Sequence, residues 1–212
     1  YFPESPYSFS VFSSDILGHI YEIFIAEKLA VKDGELQIVK KLENEDRDVV
    51  TTPTYIIREI LRQTITPLCK DKSAKEILKL KIADIACGSG AFLLEAYQLL
   101  NDILIDYYIQ HDSSKLVQIG ENSYRLKYAE KKQLLKNCIY GVDKDFNAAE
   151  ACKFGLLLKL LENEDSASLI NEHPILPDLP KNIFFGNSLL SSCDIEATDA
   201  SDINPFDFDT MR

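Results

Sequence analysis

Residues 82–94 read Ile-Ala-Asp-Ile-Ala-Cys-Gly-Ser-Gly-Ala-Phe-Leu-Leu: a short apolar run, a glycine turn, then the start of a helical pattern. Gly88 and Gly90 carry no Cβ, so the backbone can turn sharply there and lie close against a ligand. Downstream, Leu93, Tyr97, Leu100, Leu104 and Tyr107 recur on one helical face, which predicts a helix over about 90–109 with its N-terminus aimed at the turn. A strand, turn and helix in this order suit a nucleoside cofactor. The dinucleotide fingerprint needs a third glycine three residues after the second, and Leu93 stands there, so a nicotinamide dinucleotide is disfavoured.

Three other clusters carry side chains suited to the same ligand. The apolar run Cys138–Val142 ends in Asp143, and a carboxylate at the end of a second strand can accept from both ribose hydroxyls. Asp143 lies 59 residues beyond Asp84, more than a minimal strand-helix-strand unit needs, so the helical pattern at 126–136 reads as an insertion. Asp145 is the better cap for the helix that follows. In Gly186-Asn187-Ser188-Leu189 the amide of Asn187 can both donate and accept, which fits the two-sided edge of adenine, although Gly-Asn is equally a turn signal. Thr52-Pro53 precedes a helical face of Ile57, Ile60, Leu61, Ile65 and Leu68. Thr52 could cap that helix, with Pro53 in its first position.

Asp84, Ala86, Cys87, Gly88, Ser89, Gly90, Phe92 and Leu93 fit the string D-x-A-C-G-S-G-x-F-L, which resembles the cofactor loop of DNA adenine-N6 methyltransferases of restriction-modification systems. Those enzymes bind S-adenosylmethionine (SAM). The resemblance implies that Asp84, Ala86, Cys87, Gly88 and Gly90 wrap the amino-acid end of SAM. Thr52-Pro53 resembles the Y-T-P element of the family, with Thr51 in the tyrosine position, and implies contact of Thr52 with the methionine part. Tyr140-Gly141-Val142-Asp143 resembles Y-G-V-D and implies Asp143 on the ribose. Lys144 stands where an apolar residue commonly lies beside the adenine ring, so its aliphatic stem is expected to pack there. Gly186-Asn187-Ser188-Leu189 resembles G-N-S-L and implies Asn187 and Ser188 at the adenine. Gly18-His19-Ile20-Tyr21-Glu22 is similar to the L-G-x-x-Y-E stretch upstream of large members. The order of elements resembles the gamma arrangement and spans about 13 to 190.

The resemblance further implies an α/β fold: a Rossmann-like methyltransferase sheet, incomplete after its first three strands, with an N-terminal helical extension. Residues 1–48 are expected to form that extension and a linker, and 49–212 the SAM-binding part. The family's catalytic N-P-P-Y or N-P-P-F element is not found. Asn204-Pro205-Phe206 lacks one proline, follows Asn187 too closely and has no apolar strand ahead, so 203–208 is expected to precede the fourth strand, and no catalytic residue is named. In the family the target adenine is flipped out of the duplex, and its exocyclic amine attacks the SAM methyl in line. The expected function is therefore the SAM-binding portion of a site-specific DNA adenine-N6 methyltransferase, inactive by itself. DNA is then met by regions outside this chain, and specificity and nuclease modules are fused or separate. Two other readings remain open: a SAM-dependent methyltransferase of RNA or of protein glutamine, and a non-catalytic SAM-binding module.

The elements that must position these residues follow from patterning and composition. At 212 residues and 46% hydrophobic, the chain can bury one substantial core. Leu17, Ile20, Tyr21, Phe24 and Ile25 predict a helix from about Asp15 to Ala30; 33–50 reads as linker or hairpin with a short strand at Leu36–Val39, and 112–124 as a loop. Beyond 138–142 come a helix carrying Ala148, Ala149, Cys152, Leu156 and Leu160 and a third strand at 182–185. Net charge is −11, which suits a phosphate-binding surface poorly. Basic residues in 70–72, 75–81 and 127–136 read as solvated helix faces, and the acidic runs 43–48 and 162–165 as loops. Five cysteines without a C-x-x-C pair predict reduced thiols and no metal site, and His19, His111 and His173 are scattered. Without an apolar run of membrane-spanning length or a leader pattern, a soluble cytoplasmic protein is expected. A three-strand sheet would leave the outer edge of its first strand exposed or covered by N-terminal helices, and a bare edge favours a dimer.

Overall fold

A computed structural model describes residues 27–32, 34–40, 52–194 and 204–211. A hairpin comes first, β1 (Glu27–Lys32) antiparallel to β2 (Glu35–Lys40), reversing at Gly34 with φ +84°. The helix predicted for 15–30 therefore fails at its end, where 27–30 is strand; the remainder lies outside the described residues. The predicted strand at Leu36–Val39 is found, extended to Glu35–Lys40, but its hairpin partner is 27–32, and 41–50 lies outside the described residues. Val31, Leu36 and Ile38 fall on one hairpin face by cross-strand register, a period-two alternation that marks strand.

Helix α1 (Thr54–Cys69) buries Ile57, Leu61, Ile65 and Cys69. Ile60 and Leu68, predicted on the same face, are exposed. After the single turn α2 (Ala74–Ile77), closed by a Ser73–Glu76 capping box, strand β3 (Ile82–Asp84) leads into α3 (Ala91–His111). The predicted α3 is correct in extent, but its fifth inward residue is Tyr108; Tyr107 turns aside and stacks on His111 at 4.2 Å. A strict 3.6-residue repeat drifts over five turns, and the buried set 93, 97, 100, 104, 108 follows the drift.

The segment predicted as loop is instead structured. A 3-10 turn (Ser113–Lys115) precedes the antiparallel pair β4 (Leu116–Gly120) and β5 (Ser123–Leu126), with a register shift between Gln118 and Gly120. The insertion helix is α4 (Tyr128–Cys138), followed by β6 (Ile139–Asp143), α5 (Phe146–Leu161), the short α6 (Ser166–Leu169) and β7 (Ile183–Phe185). β3, β6 and β7 pair in parallel in that order, with Ile82 opposite Ile139 and Gly141 opposite Ile183. Leu93 of α3 packs on Gly141, where an added Cβ would come within 2.7 Å of Leu93 Cδ1. On the other sheet face Ala83 is exposed and Tyr140 and Phe184 are only half-buried. Among the described residues the outer edge of β3 has no strand partner, as expected for a sheet ending at its third strand. No helix among them is long and apolar enough to cross a membrane.

In the basic and acidic runs near this insertion Lys127, Lys136, Glu162 and Asp165 are exposed as expected, but Lys131 and Glu164 are withdrawn from water. Glu164, inside the acidic loop, has a side chain only 1% exposed and accepts from Arg125 Nη1 at 2.8 Å and Lys131 Nζ at 2.9 Å. Lys131 also donates to the Glu162 carbonyl at 2.9 Å. Burial depresses the Lys131 pKa, and the Glu164 carboxylate opposes that depression. The cluster ties β5, α4 and the turn after α5 into one block, while Tyr97 reaches it through a hydrogen bond to the Lys131 carbonyl. Two cations on one buried carboxylate leave a large uncompensated charge if the carboxylate is removed. Glu164→Ala is expected to cost about 3–5 kcal/mol of unfolding free energy. Lys131→Met combined with Glu164→Leu should cost clearly less; urea denaturation of the three proteins checks this.

Candidate functional site

The three parallel strands end side by side, and hydrogen bonds lock their tips together. Cys87 N donates to the Val142 carbonyl at 3.0 Å, continuing the β3–β6 ladder into the glycine turn. Gly88 N donates to Asp143 Oδ2 at 2.8 Å, and Asp145 N to Asp143 Oδ1 at 2.8 Å. Gly186 N donates to the Asp143 carbonyl at 2.9 Å, bringing in the third tip. The Ser188 hydroxyl closes the ring by donating to the Ile85 carbonyl at 2.6 Å. Gly88, Asp143 and the 186–188 turn thus border one region.

Each residue of the turn has a local reason. Gly88 has φ +54° and open space where a Cβ would stand, so only its backbone conformation demands glycine. Gly90 has φ +93°, and a Cβ there would lie 2.6 Å from Cys152 Sγ of α5. Cys87 is buried beside Cys152; their hydrogen bond, then burial, raises the Cys87 pKa far above the thiol range, so it is a small packing residue and no nucleophile. Asp84 Oδ1 accepts from Ala86 N at 3.1 Å. Burial raises the Asp84 pKa, the Ala86 amide partly offsets this, and the neighbouring Asp143 charge adds to it. No side chain caps α3, whose N-cap is Gly90 in the left-handed region. A carboxylate offers about four lone-pair positions, and amides engage two on Asp143, so two further hydroxyl donors can be met.

The remaining predicted positions sit as follows. Asn187 Oδ1 accepts from Leu189 N at 3.1 Å, and its backbone forms a parallel bridge with Pro205. The stretch around 205 thus runs beside the third tip, with Phe206 buried against Phe184 at 5.1 Å. Lys144 is exposed between two aspartates. Thr52 lies one residue ahead of the α1 cap, which is Pro53 itself, so the predicted capping by Thr52 is not seen: the Pro53 carbonyl accepts from Ile56 N and Ile57 N. Thr52 is outside the hydrogen-bonded ring, although a bidentate Arg58–Glu95 pair at 2.8 and 3.0 Å aligns the first turns of α1 and α3. Sequence reasoning missed Cys152, Phe146 and Phe185 at this site. The two phenylalanine rings meet edge to face, centroids 5.6 Å apart at 83°. Their signal was proximity in sequence to Asp143 and Asn187. No group of three or more metal-ligating side chains occurs among the described residues.

A profile of the N-6 DNA methylase family matches residues 12–182, a span that contains the glycine turn, Asp143 and the first two of the three parallel strands. The chain belongs to that family. It is 59% identical, over 98% of its length, to the Escherichia coli protein described as type II restriction enzyme and methyltransferase RM.Eco57I, and covers 21% of that protein. It is 35% identical over 80% of its length to the putative type II restriction enzyme and methyltransferase RM.MjaORFECS2P of Methanocaldococcus jannaschii, covering 12% of it. Similarity extends to the adenine-specific methyltransferase BrxX of Escherichia coli O9:H4 (strain HS), at 26% identity over 68% of the chain and 13% of the relative. The chain thus spans about a fifth or less of the length of these relatives.

Two expectations follow for this N-6 DNA methylase segment. Gly88→Ala should cost about 1–2 kcal/mol, the left-handed backbone penalty alone, whereas Gly90→Ala adds a steric clash of about 1–3 kcal/mol. Adding Cys152→Ala to Gly90→Ala should narrow that gap in chemical denaturation. The second concerns pH. The folded chain holds the Asp84 proton above the ordinary 3.8, where the unfolded chain has released it, so the folded state binds more protons in that window. Stability contributed at this site therefore falls as pH rises from 3.8 through the raised Asp84 pKa, and Asp84→Asn should flatten the fall in pH-resolved urea unfolding.

Proposed function

We propose that residues 49–212 form the SAM-binding part of a DNA adenine-N6 methyltransferase with a Rossmann-like sheet, and that DNA, specificity and nuclease functions belong to other parts of the whole protein. The observation that carries this reading is the Asp143 carboxylate, fixed by amides of two strand tips yet retaining acceptor capacity for two hydroxyls. The donor set fits SAM. Asp143 would hold the ribose diol, the glycine turn lets backbone approach the amino-acid end, and Asp84 would face its ammonium. Ser188, which spans to Ile85, would fix the turn carrying Asn187, and the Asn187 amide would address the adenine edge. When bound, SAM supplies a methyl group on a sulfonium for transfer to an amine. These residues bind and orient; they leave the acceptor amine to groups beyond this site. DNA as substrate class is supported by the family's description and by relatives named as restriction enzymes and methyltransferases.

Calorimetric titration of the full polypeptide with SAM tests the reading. Saturable binding is expected, and Asp143→Asn should weaken it about tenfold or more, the loss of a charge-assisted hydrogen-bond pair. Asp143→Asn should also lower methyl incorporation into duplex DNA. Absence of SAM binding by the parent protein, or an unchanged affinity in Asp143→Asn, would overturn it.

A further inference from the structure

We infer that Arg58 and Glu95 are positioning residues for the cofactor: their ion pair holds the start of α1, with Thr52 just ahead of it, level with the glycine turn, and so sets the affinity for the amino-acid end of SAM. The inference rests on the SAM reading of the strand tips and adds to it two residues that act through a helix start. Arg58 meets Glu95 with two parallel hydrogen bonds, Nε to Oε2 at 2.8 Å and Nη2 to Oε1 at 3.0 Å, across 37 residues of chain. Helix α1 begins at Thr54 and α3 at Ala91, with N-caps Pro53 and Gly90, and both of these pairs are also 37 residues apart. The two helices run parallel, because the groove between them is walled first by Arg58 and Glu95, then by Arg62 and Leu99, and further on by Thr66 and Ile103. With that one stagger kept throughout, the helices start at the same height. Thr52 then stands level with Ser89.

Apolar packing does not set that height. The buried face of α1 is Ile57, Leu61, Ile65 and Cys69, one residue in every four, so a slip of one turn, about 5.4 Å, puts the next side chain in the vacated place. A forked ion pair admits no such slip. The Glu95 side chain is 11% exposed against 65% for Arg58, so the carboxylate is fixed by its surroundings and the guanidinium supplies the reach. A pair this open to water contributes little to folding, and its effect is on register. Neither helix start is closed by a side-chain cap, so amides of both are left at one level, beside the turn that Gly88 fastens to Asp143. An amino-acid carboxylate placed there meets donors from both segments only while α1 keeps its height. Arg62 supplies an internal control, since its equally forked pair with Glu59 lies within α1 and registers nothing.

The test separates the amino-acid tail from the nucleoside. In the full polypeptide, titrate S-adenosylhomocysteine and 5′-methylthioadenosine, which keeps the base, sugar and sulfur but lacks the tail. Arg58→Met and Glu95→Gln should each weaken S-adenosylhomocysteine about five- to tenfold, the scale of one or two lost hydrogen bonds. They should leave 5′-methylthioadenosine unchanged and raise KM for SAM without lowering kcat. The exchanged pair, Arg58→Glu with Glu95→Arg, should recover most of the lost affinity. Arg62→Met should alter the binding of neither ligand, and each single variant should keep the parent's urea midpoint. Thr52→Ala should weaken S-adenosylhomocysteine by itself and add nothing in the Arg58→Met background, because both changes remove the same contact. Unchanged S-adenosylhomocysteine affinity in Arg58→Met and Glu95→Gln, equal weakening of the two ligands, or a Thr52→Ala effect that is absent or fully additive overturns the inference, while the SAM reading, tested at Asp143, stands. A parent protein that binds neither ligand overturns that reading, and the inference with it.

Discussion

The hydrogen bond from Gly88 N to Asp143 Oδ2 joins the ends of two strands that lie 55 residues apart in the chain, and the geometry of the site depends on it. Without an acceptor there, the Gly88 amide would point into a half-buried turn with no partner. The same carboxylate orders the start of α5 through Asp145 N, and its backbone carbonyl receives Gly186 N from the third strand. One residue is thus the meeting point of three segments. An acidic side chain earns that position in a ligand-free protein by structure alone. It keeps acceptor capacity for a diol because amides occupy only part of its lone pairs.

Distance in sequence between the two strands is absorbed by an insertion whose buried residues, Leu116, Leu126, Tyr128, Leu134 and Leu135, join the common core. The hairpin β4–β5 and α4 are fastened to the turn after α5 by Arg125, Lys131 and Glu164, all mostly withdrawn from water. Such a cluster contributes orientation more surely than net stability, since desolvating three charges offsets much of their attraction. Its effect here is to fix α4 against the sheet so that β6 starts in register with β3, Ile139 beside Ile82. The site's carboxylate is delivered by that register.

Most of what positions the site could be read from residue order. The glycine turn, the three strands, the long helix and the carboxylate at the second strand's end all carry local signals: apolar runs, a 3.6-residue repeat, glycines where the backbone must turn. What could not be read depended on partners distant in sequence. Glu164 looked solvated because its neighbours are acidic, yet its two cations come from β5 and α4, 39 and 33 residues away. The β4–β5 pair was hidden because its strands are short and mostly polar on the outer face, although Gly120-Glu121-Asn122 carries a turn signal. Threonine before proline makes Thr52 a candidate cap as well as a candidate ligand contact; the helix cap is Pro53, which leaves Thr52 ahead of the helix start. Ser188 could be placed at the right turn, but its bond to Ile85 spans 103 residues and has no signature in sequence.

The insertion's two ends differ in how much of the molecule they touch. At the base, Leu116 and Leu126 are buried and Arg125 is held by Glu164, whereas 120–123 at the tip is exposed on every residue. Loop-closure entropy rises only slowly with added residues, so lengthening the tip changes little that the core can sense. A reporter peptide could therefore be grafted between Gly120 and Ser123, while the end of the sheet that carries Asp143 stays as it is.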